Sequence, residues 1–400
     1  MRKKRIAIVN AGAHGHVNPT VAFTRKLVSA GHDVDYLIPR TFMPFAPAAG
    51  ASLIPYETGQ VENTPDPEGK ARDIADATRG VPMRGLATDA LARRDLVERG
   101  FELFSPVLEY CEKQKPDAII YDRLCWSARL CADRFQIPSA MLHASYCGSG
   151  IAEGLHPVFD LPRTEEMGDL EGILARFSES NPTVAIDLDM AFEEHDTCNI
   201  VFMSKQFHPI GNEFDDSYHF VGAQSGAECY HSEKPPLVYI SLGSVFGLNM
   251  GEFFRHCIRS FKGPEWRVVV SVGYFNAPED FGPLPENVRV VQYADQLEAL
   301  RKADAFVSHG GMNSVQEAIV SEVPMVVMPQ LFDQITSAKR VAELGCGSVI
   351  AEDDLADLRA AVEKVSQDQG VVENLRRQKY YSNISGGANR AADIIMSLVS

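Results

Sequence analysis

Two histidines stand near the start of the chain, in Ala11-Gly-Ala-His-Gly-His-Val17, and a carboxylate, Asp122, closes an apolar run much further along. A histidine backed by a carboxylate is a general-base dyad: the acid fixes the imidazole tautomer and stabilises the imidazolium that forms. His14 and Asp122 each follow a short apolar run, Arg5–Asn10 and Asp117–Asp122. Such runs read as parallel strands buried on both faces, whose carboxyl ends gather ligands in one crevice. On this reading His14 is the base, Asp122 orients it and His16 is structural. Taken singly, each has a plainer reading, His14 as a loop hydrogen-bonder and Asp122 as a local cap. A His14–His16 metal site lacks a third ligand at recognisable spacing.

The second constellation is Ser308-His-Gly-Gly-Met-Asn-Ser-Val-Gln-Glu-Ala318. A strand ending at Ser308, two glycines that admit close backbone approach and a helix starting near Asn313 or Ser314 would aim free N–H groups at one point. That suits a diphosphate, with His309 as a further donor. The plainer reading makes Ser314 and Glu317 a capping box. Asp333 and Gln334, just past another strand, pair an acceptor with a donor as adjacent sugar hydroxyls require, or Asp333 simply caps a helix. Tyr293 could stack on a base or sit in a core. Met141, Leu142, Tyr146, Leu155, Phe159 and Leu161 form an apolar stretch fit to line a cleft for an apolar molecule, or core under a long loop.

The elements that must position these groups alternate strand and helix. Asn18 and Pro19 read as N-cap and first residue of a helix that Gly31 closes before the strand Asp33–Ile38. Residues 60–90 read as an insertion, followed by a helix near 95–114 and the strand Pro138–His143. A second βα series begins at Leu237–Ser241 and continues through Arg267–Val272, Val288–Gln292, Asp304–Ser308 and Met325–Met328. The expected organisation is a domain over 1–227, a linker over 228–236, a domain over 237–371, and a helical segment over 372–400 packing back toward the first.

Composition narrows the classes. The chain has 400 residues, enough for two or three domains at ~150 residues each, and 45% of them are hydrophobic, an ordinary globular share. With 38 Lys and Arg against 54 Asp and Glu, its formal charge is −16, which disfavours a nucleic-acid partner. No apolar run approaches the ~18 residues of a membrane span. The eight cysteines form no C-x-x-C pair, in keeping with free thiols in a reducing cytoplasm.

Four segments in order, Ala11–Pro19, Leu242-Gly-Ser244, Ser308–Glu317 and Pro329–Gln334, resemble the family 1 nucleotide-sugar glycosyltransferases, bacterial macrolide glucosyltransferases above all. The resemblance runs from about residue 5 to 390. It implies the α/β GT-B fold, two facing Rossmann-like doubly wound domains, the acceptor site in the first and the nucleotide-sugar site in the second. It implies inverting transfer without metal or resident cofactor, UDP-glucose being a co-substrate. By motif position it makes His14 the base and Asp122 its orienting acid. Gly243 and Ser244 match the loop facing the diphosphate; His309, Gly311, Asn313 and Ser314 match the diphosphate site. Glu317 matches the ribose contact, Asp333 and Gln334 the sugar contacts, and Tyr293-Ala294 with Gln296 the base-binding turn. The family often has Trp where Tyr293 stands. The Asp333-Gln334 pair favours UDP-glucose over a dTDP-deoxysugar. The rivals are a deoxysugar transferase, a nucleotide-sugar 2-epimerase, a silent helper protein and an NAD enzyme. The last would need a G-x-G-x-x-G after the first strand, where the chain has Gly12-Ala-His-Gly15.

Overall fold

The structure is a computed structural model. It describes residues 2–46, 49–57, 86–147, 168–181, 184, 186, 195–224, 234–243, 250–273, 276–329 and 332–400. They fall into two units. The first takes the described residues up to Gln224 together with Ser385–Ser400; the second takes Lys234 to Ile384.

The first unit is built on a seven-stranded parallel sheet. Its strands are β1 (Arg5–Val9), β2 (Asp33–Pro39), β3 (Ser52–Tyr56), β4 (Ala118–Asp122), β5 (Ser139–His143), β6 (Asn199–Val201) and β7 (Tyr218–Phe220), in the order β3-β2-β1-β4-β5-β6-β7. Ile6 pairs with Val34 on one side and Ala118 on the other, so the order reverses between β1 and β4. Alternation along β1 sends Ala7 and Val9 into one apolar cluster and Ile6 and Ile8 into another. Both faces are therefore buried, which is why these strands read as continuous apolar runs.

One face is covered by α2 (Leu86–Gln114), α3 (Ser127–Phe135) and α4 (Gly168–Ser180), through Val97, Phe104, Leu130 and Phe177. The other is covered by α1 (His14–Ser29) and by the last helix of the chain, Gly387–Ser397.

The second unit has six parallel strands: β8 (Leu237–Ser241), β9 (Arg267–Ser271), β10 (Val288–Val291), β11 (Ala305–Ser308), β12 (Met325–Val327) and β13 (Gly347–Val349). Their order is β10-β9-β8-β11-β12-β13, which reverses between β8 and β11. Its helices are α5 (Gly251–Ser260), α6 (Gln296–Lys302), α7 (Met312–Val320), α8 (Phe332–Glu343), α9 (Leu358–Gln367) and α10 (Gln369–Ile384); the final helix is α11.

Three boundaries differ from the sequence reading. Helix α1 begins at His14, with Ala13 as N-cap and Pro19 inside it, rather than at Pro19. Helix α2 begins at Leu86, well before the expected 95. The segment expected as one body over 372–400 divides: α10 packs on α7 in the second unit, while α11 packs on α1 in the first. The break falls at Gly386 and Gly387, both at positive φ (93° and 54°), which a continuing helix does not allow.

Candidate active site

In the first unit the sheet reverses between β1 and β4, where open parallel sheets place their ligands. Asp122 ends β4 with its side chain 1% exposed. Its Oδ2 lies 2.7 Å from Nδ1 of His16, and its Oδ1 accepts the Leu124 N–H at 2.9 Å. The sequence reading gave this carboxylate to His14; the structure gives it to His16. The cause is the start of α1. With the helix running from His14, His16 lies four, seven and eleven residues before Thr20, Phe23 and Leu27, all buried. That is the stripe facing the sheet, and hence the end of β4. His14, at the first helical position, leaves that stripe. Its ring meets Phe42 edge-on at 4.9 Å, and partial burial lowers its pKa.

In the second unit the reversal lies between β8 and β11, and His309 follows β11 immediately. Its ring is wedged between two glycines. A Cβ on Gly243 would lie 2.8 Å from its Cε1, and one on Gly311 would lie 2.5 Å from its Nε2. Burial pushes its pKa down to about 4, against a small opposing pull from the Ser241 backbone, so the ring is neutral at pH 7. Its Nδ1 is buried without a hydrogen bond among the described residues. Gly311 is the N-cap of α7 and has no side chain with which to cap it. The N–H groups of its first turn, and the positive end of its dipole, suit an anionic ligand.

Ser314 and Glu317 are not a capping box, since α7 starts ahead of them. Gln296 donates through Nε2 to Ser314 Oγ at 3.0 Å and to Glu317 Oε2 at 2.7 Å, while Asn313 Nδ2 donates to Glu317 Oε1 at 3.0 Å. Burial pushes the Glu317 carboxyl up to about 7; Gln296 and Asn313 pull it down, and Asp295 adds to the rise. Tyr293 is 55% exposed, an aromatic face outside the core, with Ala294 half-buried beside it. Gln334 is buried and Asp333 exposed in the first turn of α8. Gly310 holds that turn close: a Cβ there would lie 3.3 Å from the Gln334 carbonyl oxygen.

Met141 does not line a cleft. It is 2% exposed, inside the apolar cluster between the sheet and α2. Both faces of β5 are buried, so an apolar residue there carries no signal of its own. Tyr146 stacks on Phe207 at 6.5 Å. Ser244, Leu155, Phe159 and Leu161 lie outside the described residues.

Two expectations follow from the second unit. The ordinary carboxyl value of Glu317 is 4.5, and in the fold it is about 7. Between these values the folded state holds the proton that the unfolded chain has lost, so stability falls as pH rises through that window. Melting temperature is expected to decline more steeply from about pH 5 to about pH 8 in the native protein than in Glu317→Gln; equal slopes would count against the raised value. Separately, Gly311→Ala meets no backbone barrier, since φ is −58°, but drives a methyl into His309. Calorimetry is expected to show nucleoside-diphosphate affinity about tenfold weaker, the worth of one displaced hydrogen-bonding group; unchanged affinity would remove His309 from the site.

These features define a two-unit α/β protein with a hydrogen-bonded His–Asp pair in one half and a site suited to a nucleoside diphosphate in the other. Residues 266–380 match the family described as erythromycin biosynthesis protein CIII-like, C-terminal domain. The chain is 32% identical over 98% of its length to the NDP-glycosyltransferase YjiC of Bacillus subtilis, covering 96% of that protein. It is 31% identical to the oleandomycin glycosyltransferase of Streptomyces antibioticus, over 98% of this chain and 90% of that one. The solved calicheamicin glycosyltransferase CalG4 superposes with a TM-score of 0.80 at 27% identity, covering 100% of this chain and 99% of that one. The chain belongs to the family 1 nucleotide-sugar glycosyltransferases of small molecules and has their GT-B fold. No helix among the described residues is long and apolar enough to cross a membrane.

Proposed function

We propose that the protein moves glucose from UDP-glucose to a hydroxyl of a bulky, largely apolar small molecule, such as a macrolide or flavonoid, with inversion at the anomeric carbon. The observation that carries the mechanism is the 2.7 Å contact between His16 Nδ1 and Asp122. Asp122 accepts a hydrogen bond from Nδ1–H, so the neutral ring presents Nε2 as a base. An acceptor hydroxyl is a weak nucleophile at neutral pH, and Nε2 takes its proton as the oxygen attacks the anomeric carbon. The C–O bond to the diphosphate breaks in the same displacement, and UDP leaves with added negative charge. The N–H groups at the start of α7 and the neutral His309 ring meet that charge. The unpaired Nδ1 of His309 is consistent with a phosphate oxygen as its missing partner.

Glu317, oriented by Gln296 and Asn313, is the ribose contact on this reading, Tyr293 the stacking face for uracil, and Asp333 with Gln334 the sugar contacts. That last pair favours glucose, and the 29% identity to a protein named as the uncharacterized UDP-glucosyltransferase YdhE of Bacillus subtilis agrees with it. The demethyllactenocin mycarosyltransferase of Streptomyces fradiae, at 28%, keeps a dTDP-deoxysugar as the second reading. Met141 is left out of the acceptor site, being core.

Mass spectrometry of reactions pairing UDP-glucose or dTDP-glucose with macrolide, flavonoid and oligosaccharide acceptors tests both substrates at once. Glucosides of apolar acceptors from UDP-glucose are expected, undiminished by EDTA. Transfer only from the dTDP donor, preference for oligosaccharides, or activity lost with EDTA and regained with Mg²⁺ would each contradict the corresponding part.

A further inference from the structure

The turn that carries His16 lacks what ordinarily holds the start of a helix. Its N-cap is Ala13, which offers no side-chain acceptor. Pro19, inside α1, has no N–H for the Gly15 carbonyl four residues before it. A first turn missing both a cap and a rung would fray, and a frayed turn cannot keep a side chain 2.7 Å from Asp122.

A buried side chain ties the turn down by another route. Asn10, fully buried at the end of β1, accepts the Gly12 N–H through Oδ1 at 3.0 Å and donates through Nδ2 to the His16 carbonyl at 3.0 Å. Its amide thus ties the entry of the loop to the third residue of the helix. The backbone of Asn10 is itself fixed: its N–H donates to the Leu37 carbonyl at 3.0 Å, and its carbonyl accepts the Tyr56 hydroxyl at 2.8 Å. At Gly12, φ is +75°, and a Cβ would lie 2.8 Å from the Pro39 ring, so the loop passes against β2 with no slack. The clasp is anchored in the sheet at one end and in the catalytic turn at the other.

We infer that Asn10 is a positioning residue for the transfer reaction, its amide clasping Gly12 to His16 so that the His16 ring is held on Asp122. The inference rests on the reading of His16 as the base. Asn10 touches neither substrate nor the reacting proton; it acts through His16. A base displaced by about an ångström loses on the order of 10²-fold in rate even though it is still present.

Asn10→Ser is the sharpest variant. Its hydroxyl is too short to bridge Gly12 and the His16 carbonyl, and it adds no charge beside the ring. The readout is the pH dependence of kcat together with the donor KM, measured on native protein, Asn10→Ser, Asp122→Asn and His16→Ala. Asp122 faces the His16 ring; Arg123 follows that acid, His14 lies on the same turn as His16, and Tyr36 and His143 both feel the Asp122 charge. Asp122 favours the imidazolium, so weakening that contact lowers the His16 pKa and moves the acid limb of kcat to lower pH.

The expected result is a kcat lowered by about 10–10²-fold, an acid limb displaced toward lower pH as in Asp122→Asn, and a donor KM within about twofold of native. A lost melting temperature with kcat and acid limb unchanged would overturn the inference, since a merely structural residue behaves so. If His16→Ala itself keeps its activity, the underlying assignment of the base fails, and the Asn10 inference with it. Should Asn10→Ser not fold, Asn10→Thr fills more of the site, again without charge, and is read by the same two measurements.

Discussion

Replacing His16 with alanine is expected to lower turnover by about 10²–10⁴-fold, the usual worth of a positioned general base, and to leave UDP binding unchanged. His14→Ala, in contrast, is expected to keep most of the turnover. Asp122 holds His16 through Oδ2 and accepts the Leu124 N–H through Oδ1. A carboxylate behind a histidine fixes its tautomer and stabilises its imidazolium, and that support is seen at His16. His14 instead sits edge-on to Phe42, where desolvation disfavours the charged form that a base must pass through. Parallel kcat values for the two variants, with UDP affinity by calorimetry as the control, decide the matter. A His14→Ala enzyme that is dead while His16→Ala turns over would reverse the assignment.

The second large effect is expected at Asp122→Asn. The amide oxygen can still accept the Leu124 N–H, so the local turn survives. The amide nitrogen then faces Nδ1 of His16 as a donor, and the ring is driven to the tautomer whose proton sits on Nε2. That is the nitrogen that must be free to accept the hydroxyl proton. The corresponding change in the serine-protease triad costs about 10⁴ in kcat with the geometry intact, and a loss of about 10³–10⁴-fold is expected here on the same grounds. Denaturation should show little loss of stability. A kcat within about tenfold of native, in a folded protein, would mean that Asp122 is a structural cap and no more.

How much of this could be read in advance depended on length and burial. The central strands were legible because both faces are covered, which leaves uninterrupted apolar runs such as Arg5–Val9 and Leu237–Ser241. β6, β7 and β13 have three residues each, too few for any period to show, and β3 contains Pro55. The dyad was legible as a pair of residue types at two strand ends but not as a pair of residues. Asn18-Pro19 is a sound helix start by local rules, and accepting it left both histidines in a loop with nothing to choose between them. The deciding signal was the spacing from His16 to Thr20, Phe23 and Leu27, which is visible only if Pro19 is allowed inside the helix. In the second unit Ser314 and Glu317 were recognisable, but their orientation by Gln296 joins two successive helices across the strand β11, a contact no local period encodes. The clasp from Asn10 to His16 had no sequence signal, because an asparagine after a strand is ordinary.

The most direct test of the central claim is proton NMR of the product formed from UDP-glucose and an apolar acceptor that bears one free hydroxyl. A single displacement at the α-linked anomeric carbon predicts a β-glucoside, read from a large diaxial coupling on the anomeric proton. An α-glucoside, or free glucose with the acceptor unchanged, would contradict it.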